Sequence, residues 1–333
     1  MITITKPGLL TSIQDLGRCG YQKYGVIVSG VMDAFAHRIA NLLVGNGENF
    51  PTLEITLVGP TIVFEEETLI SICGGDLTPT IDGEPVRLWR AILVKKGTRL
   101  KFGKCKQGCR AYLAVAGGYR IPSVMESKST YLRANIGGLN GRALKAGDQL
   151  FCDSIGELSG TIIEQLKKEV IHKSFVEANW SVAQDLIPIQ TKEIVIRVVK
   201  GRQFHLFTSD SQEKLFSESF EITAQSDRMG YRLKGPNLAM DQAKEMISEA
   251  VNFGTIQVPS DGNPIILLAD RQTTGGYPKI GQIATVDLAY LAQAKPGDLL
   301  RFTEVSHEKA QRLFLKKERE LQQLKKGIQI KFK

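Results

Sequence analysis

The sequence predicts a mainly β protein with a few helices, organised as two related barrels or sandwiches that arose by internal duplication. Three observations carry this. The chain has 333 residues, enough for roughly two domains of about 150 residues. Short β-rich runs bounded by Gly, Pro, Asp and Asn recur at spacings of about ten residues, the rhythm of barrels and sandwiches rather than of βαβ units. Finally, two stretches echo each other. EITLVGPTIVFEEETLISICGGD (Glu54 to Asp76) and EAVNFGTIQVPSDGNPIILLAD (Glu249 to Asp270) both open on Glu and place Gly five residues later, at Gly59 and Gly254. Both continue Thr-Ile and end an apolar run at Asp. Further on, KKGTRLKF (Lys95 to Phe102) matches KPGDLLRF (Lys295 to Phe302). Two copies are too few for a solenoid.

The elements follow in order. Met1-Ile-Thr-Ile-Thr-Lys reads as a first strand. It has no charged segment leading into an apolar one, as a secretory signal would, and no run of about 18 apolar residues exists in the chain. A cytoplasmic protein is the expectation. A helix is predicted over 32–43 from Phe35, Ala36, Ile39, Leu42 and Leu43, stopped by Gly45-Asn46-Gly47. Strands are predicted at TIVF from Thr61, LISI from Leu69, RAYLAVA from Arg110, IVIRVV from Ile194 and PIILL from Pro264. Further helices are predicted at 208–219 and 288–294. The expected domains are 1–155 and 191–305. They are joined by a polar connector over 156–190 and followed by a basic helical tail over 306–333. Ala310, Leu313, Phe314, Lys317, Leu321 and Leu324 lie near helical spacing over 307–326. The stripe suits docking on the chain's own body or contact with a partner, including a second copy.

Charge narrows the function classes. Of a net +8, the stretch Ser306 to Lys333 holds nine basic against three acidic residues, a surplus of six. The body is close to neutral, which argues against a nucleic-acid-binding surface. The five cysteines (Cys19, Cys73, Cys105, Cys109, Cys152) are odd in number and scattered. Cys105 and Cys109 lack the second short-spaced pair that a zinc site requires. No metal site is expected.

Candidate chemistry clusters in three loops. ADRQTTGGYPKIG, from Ala269, follows the apolar run PIILL and puts an acid, a base, an amide and hydroxyls at a strand end. Asp270, with Gln272 and Tyr277, is the candidate catalytic set, Asp270 as general base. Arg271, Thr273, Thr274, Gly275 and Gly276 are candidate substrate or phosphate ligands. GGLNGR (Gly137 to Arg142), with Ser129, Thr130 and Arg133 upstream, combines flexible glycines with cations suited to an anion. PGLLTSIQDLGR (Pro7 to Arg18) adds Gln14 and Arg18. Each loop has a plainer reading as a Gly-rich turn. Glu54 and Glu249 read as structural hydrogen-bonding residues or as functional ones. No P-loop and no G-x-S-x-G elbow is present.

Five segments in order carry a resemblance: PGLLTSIQDLGR, YGVIVSGVMD (Tyr24 to Asp33), STYLRANIGGLNGR (Ser129 to Arg142), SDRMGYRLKGP (Ser226 to Pro236) and DRQTTGGYPK (Asp270 to Lys279). Over about residues 1–303 the chain is similar to the family called allophanate hydrolase subunit 2, or biotin-dependent carboxyltransferase-like proteins. The family usually shows Gly-Ser-Arg-Ser-Thr where this chain has Glu126-Ser127-Lys128-Ser129-Thr130, which removes a bidentate Arg fork. The resemblance implies two cyclophilin-like β-barrel domains. It also implies partnership with an A subunit plus a KipI-like B subunit in opening 5-oxo-L-proline to L-glutamate with ATP and its accompanying Mg2+. Relatives fused to biotin carboxylase transfer a carboxyl group from carboxybiotin to urea. This chain has no Met-Lys-Met signature, so covalently attached biotin is not expected. A third implied role is regulatory, antagonising an inhibitor of a histidine kinase.

Overall fold

The computed structural model describes residues 1–168, 174–188, 193–242 and 246–332. The chain divides into two compact units. The first comprises Met1–Arg18, Asp33–Ile187 and Glu320–Lys333, the second Cys19–Met32 and Pro188–Arg319.

The first unit holds two six-stranded sheets. One runs in the order Gln149–Leu150, Ile2–Lys6, Thr61–Phe64, Arg99–Lys101, Thr80–Ile81, Glu84–Pro85; the other runs Phe175–Glu177, Ala91–Val94, Thr68–Asp76, Gln107–Val115, Thr52–Thr56, Leu10–Gln14. Alternation sends Ile2, Ile4, Ile62 and Phe64 inward from the first sheet, and Ile13, Leu53, Ile55, Ile70 and Ile72 from the second, into one core cluster. Each such side chain contributes about 1.5–3 kcal/mol on burial. Helix α1 (Ala34–Leu43) starts where Asp33 accepts from the Ala36 amide and packs its buried face on the second sheet.

The second unit is a closed seven-stranded barrel in the order Glu193–Lys200, Lys279–Ile283, Thr255–Gln257, Ile265–Leu267, Gly230–Lys234, Ser219–Ile222, Leu299–Glu304. A parallel pairing of Leu299–Glu304 with Glu193–Lys200 closes it. Its core gathers Ile194, Ile196, Val198, Phe220, Ile256, Ile266, Leu300 and Phe302, with Met32 from the N-terminal segment.

The echoed segments form corresponding strands with different pairings. In the barrel, Thr255–Gln257 and Ile265–Leu267 pair directly. In the first unit the matching strands, Thr61–Phe64 and Thr68–Asp76, go to separate sheets. The matched turns agree more closely. The Thr98 amide donates to Lys95 O and the Asp298 amide to Lys295 O. Gly97 and Gly297 sit third in these turns at φ 81° and 88°, where a side chain would be strained.

The stretch read as a connector is structured. It carries helix α2 (Glu157–Lys167), with Ile162 and Leu166 buried, and the strand Phe175–Glu177 that extends the second sheet. Residues 169–173 and 189–190 of that stretch, and the expected domain start at 191, lie outside the described residues. Helix α3 (Ser209–Ser217) and helix α4 (Leu288–Ala292) fall where predicted. Helix α5 (His307–Lys331) runs past its predicted end and buries Leu321 and Ile328. Beyond it, Phe332 stacks on Trp180 at 5.9 Å between centroids, and Lys325 pairs with Glu48 at 3.1 Å. No helix among the described residues is long and apolar enough to cross a membrane.

Candidate functional site

In the first unit the loops that read as an anion cradle form a filled hydrogen-bond knot around Asp15. Its carboxylate accepts from Ser127 Oγ (2.7 Å), Ser129 Oγ (2.5 Å), the Lys128 amide (2.6 Å) and the Gly17 amide (2.9 Å). Arg18, fully buried, donates to Val124 O and Ser129 O. Gln14 donates to Ser12 Oγ and Thr130 O, and Thr130 Oγ1 donates to Ile13 O. Gln14, Arg18, Ser129 and Thr130 are all 0% exposed, so no solute reaches them in this conformation. The glycines serve the same packing. A Cβ on Gly137 would lie 2.1 Å from Ser129 O, and one on Gly138 1.9 Å from Thr130 Oγ1. Arg142 already holds a carboxylate. Its two terminal nitrogens grip Asp148 at 2.7 and 2.8 Å, and that hydrogen bonding pushes the Arg142 pKa up and the Asp148 pKa down. Arg133 is exposed on the short turn Leu132–Ala134.

In the second unit the loop after Ile265–Leu267 separates into a buried base and an exposed tip. Asp270 is 5% exposed and both its oxygens are engaged. Arg228 donates at 2.9 and 3.1 Å, and Ser29 Oγ at 2.7 Å. Arg228 also donates to Gly30 O at 2.6 Å, so the pair ties the segment Cys19–Met32 to the barrel. Arg271 turns inward onto Val251 O and Leu268 O, and burial pulls its pKa down. Thr274–Gly275 pairs with Glu249–Ala250 as a two-stranded ribbon, and the Val251 amide donates to Thr273 O. A Cβ on Gly275 would meet Gln257 Nε2 at 2.5 Å. Gln272 and Gly276 are exposed and Tyr277 is 51% exposed. Beside the ribbon, Lys279 Nζ lies 2.7 Å from Glu249, which also accepts from Arg202 and Gln203. The Lys279 bond is the main reason the Glu249 pKa is lowered.

The tip opens onto a cavity of about 600 Å3. Gly276, Tyr277 and Pro278 line it together with Leu238, Met240 and Phe207.

Comparison with known proteins assigns this architecture. The model of the carboxyltransferase domain, subdomain A and B, matches residues 24–304. The chain belongs to this family. It is 37% identical to the C subunit of 5-oxoprolinase from Haemophilus influenzae, over 99% of this chain and 100% of that one. It is 37% identical to the corresponding C subunit from Escherichia coli over 97% of each. Among solved structures, the Kluyveromyces lactis urea amidolyase superposes with a TM-score of 0.85 at 32% identity, covering 96% of this chain and 20% of that one.

Within this carboxyltransferase-family chain, the structure assembles Gln14, Arg18, Ser129, Thr130, Gly137 and Gly138 into one knot. It leaves Arg142 on Asp148 and Arg133 exposed on its turn. It places Asp270 and Arg271 beneath the loop rather than at its tip, so of the candidate catalytic residues Tyr277 alone lines the cavity. Residue-level reading weighed Asp15 as a turn partner of Arg18 rather than as the knot's centre, and it missed Arg228 and Ser29, which complete the Asp270 pair. The signal was present. Asp15 sits in PGLLTSIQDLGR, Arg228 in SDRMGYRLKGP and Ser29 in YGVIVSGVMD, three of the segments that carry the family resemblance.

Proposed function

We propose that this chain is the C subunit of an ATP-dependent 5-oxoprolinase and opens 5-oxo-L-proline to L-glutamate together with an A subunit plus a KipI-like B subunit. The observation that carries the reading is the match over the entire length of a protein named as the C subunit of 5-oxoprolinase. In the net reaction one water adds across the ring amide as the C–N bond breaks, and a second water is taken up as ATP yields ADP and phosphate. ATP activates a ring amide that is otherwise very stable. The sequence contains no P-loop, so in this reading ATP and its Mg2+ are held with the help of the partner subunits, and activity requires the complex. The test is glutamate release from 5-oxoproline with ATP, with the three subunits present and with each omitted in turn. Loss of activity on omitting this chain supports the reading. Full activity without it leaves the chain a regulatory partner of the B subunit.

A second reading is supported by the family match itself: a carboxyltransferase component acting on urea or a similar amide with biotin borne on another protein. Carboxyl transfer from carboxybiotin to urea, with no glutamate release from 5-oxoproline, favours that reading over the first.

A further inference from the structure

We propose that the cavity beside Tyr277 is a preformed binding site for an uncharged, flat ring system. The proposal does not depend on the 5-oxoprolinase reading. Three of the lining residues are apolar and almost fully buried: Phe207 is 0%, Leu238 2% and Val258 3% exposed. Half-buried Met240 and Met246 and the rings of Pro259 and Pro278 also line the cavity. Thioethers, proline faces and an aromatic edge are the groups that pack best against a π face. Tyr277, Asn237 and Ser260 are the polar side chains among the described lining residues, with the Asn237 amide nitrogen already donating to Asp261 O at 2.9 Å. The cavity volume of about 600 Å3 lies within the usual span of small-molecule sites.

Charge selects the ligand class. Among the described residues, no lining residue carries a formal charge at neutral pH. A carboxylate or phosphate seated against these residues would lose its hydration with no cation among them to replace it. That disfavours an anionic head group and favours a neutral ring, with any charged part of the ligand left at the solvent side.

The cavity is built before anything enters it. Its segments are joined by backbone hydrogen bonds: Thr208 N to Ala239 O (3.0 Å), Leu238 N to Gly262 O (3.1 Å) and Val258 N to Pro278 O (3.0 Å). Four parts of the chain distant in sequence are thereby held around one space, which lowers the ordering cost of binding.

The neutral ring has two possible sources, a nucleobase or a free aromatic molecule, and the test separates them. N-phenyl-1-naphthylamine, an uncharged fluorophore that brightens in apolar surroundings, is titrated into the full chain. Saturable enhancement at about one equivalent is expected, displaced by neither 5-oxoproline nor inorganic phosphate. Displacement by adenosine assigns the site to a nucleobase; retention of the probe in excess adenosine assigns it to a free aromatic. Ala239→Trp fills the cavity from an exposed rim position and should weaken probe binding at least about tenfold, roughly 1.4 kcal/mol, at an unchanged melting temperature. Gly276→Leu is the second blocking variant, at a glycine whose Cβ would meet nothing closer than Ser248 Oγ at 3.2 Å and Met246 O at 3.6 Å. Absence of saturable enhancement overturns the proposal. So does undiminished binding by a blocking variant that melts like the parent chain.

Discussion

Three side chains of this molecule hold energy that experiment can release. His37 is fully buried on α1, with Nδ1 2.9 Å from Thr52 Oγ1. Burial, opposed by the negative charge of Asp15, lowers its pKa to about 4. The unfolded chain therefore takes up a proton near pH 6.5 that the folded chain refuses until about 4. Stability is fully present above pH 6.5 and falls as pH drops through that window, by a few kcal/mol at most. Urea midpoints at pH 7.5 and 4.5 should differ less for His37→Gln than for the parent chain; equal slopes would show that His37 is not the group responsible. Asp270 is the second. Neutralising it as Asp270→Asn leaves Arg228 buried without its counter-charge, which costs about 3–5 kcal/mol. The expected result is a fall in melting temperature, measured by calorimetry, that accounts for any lost activity. A normal melting temperature with activity gone would return Asp270 to a chemical role. The third is Glu126. It stands at φ 61° beside Met125 at φ 52°, in a tight turn between Val124 and Ser127. A left-handed side-chain residue costs roughly 1–2 kcal/mol, and glycine's extra freedom in the unfolded chain offsets about half of that. Glu126→Gly should raise stability by about 0.5–1 kcal/mol, read as a higher urea midpoint.

At the scale of elements, helix α5 separates what the sequence revealed from what it did not. Its periodicity was legible, including Leu321. Its partner was not, because an apolar stripe records that something covers it without recording what. The structure shows the last turns inside the first unit, where Leu321, Ile328 and Phe332 are each no more than 5% exposed. Each buried side chain of that size contributes about 1.5–3 kcal/mol. Truncation before Glu320 should therefore lower the melting temperature by many degrees, while truncation before Lys333 should not. Unchanged melting of the shorter chain would make the helix a surface arm. Residues 156–168 show the opposite failure. Their polar composition hid α2, because a helix that buries only Ser159, Ile162 and Leu166 has a sparse apolar face. Strands were legible where β-branched runs meet Gly or Asp. Their assignment to sheets was not, since the same echoed segment pairs within itself in the barrel and splits between sheets in the first unit. The candidate loops were legible by their density of polar residues. Which polar groups face a solute was not, because Asp15 and Asp270 spend their oxygens on partners up to 241 residues away in the chain.

For the whole molecule, the expectation is that the isolated chain releases no glutamate from 5-oxoproline and ATP, and that activity appears on mixing it with the A and B subunits. Turnover by the purified single chain would refute this. The path of the chain through its two units has a consequence of a different kind. It changes unit four times, after residues 18, 32, 187 and 319. No single break in the gene can yield two self-sufficient products. A fragment ending at 187 would lack the closing piece of its own unit and would carry Met32, which belongs in the other core. The two units are therefore tied to one another by the path of the chain, and neither is available as a separate contiguous piece.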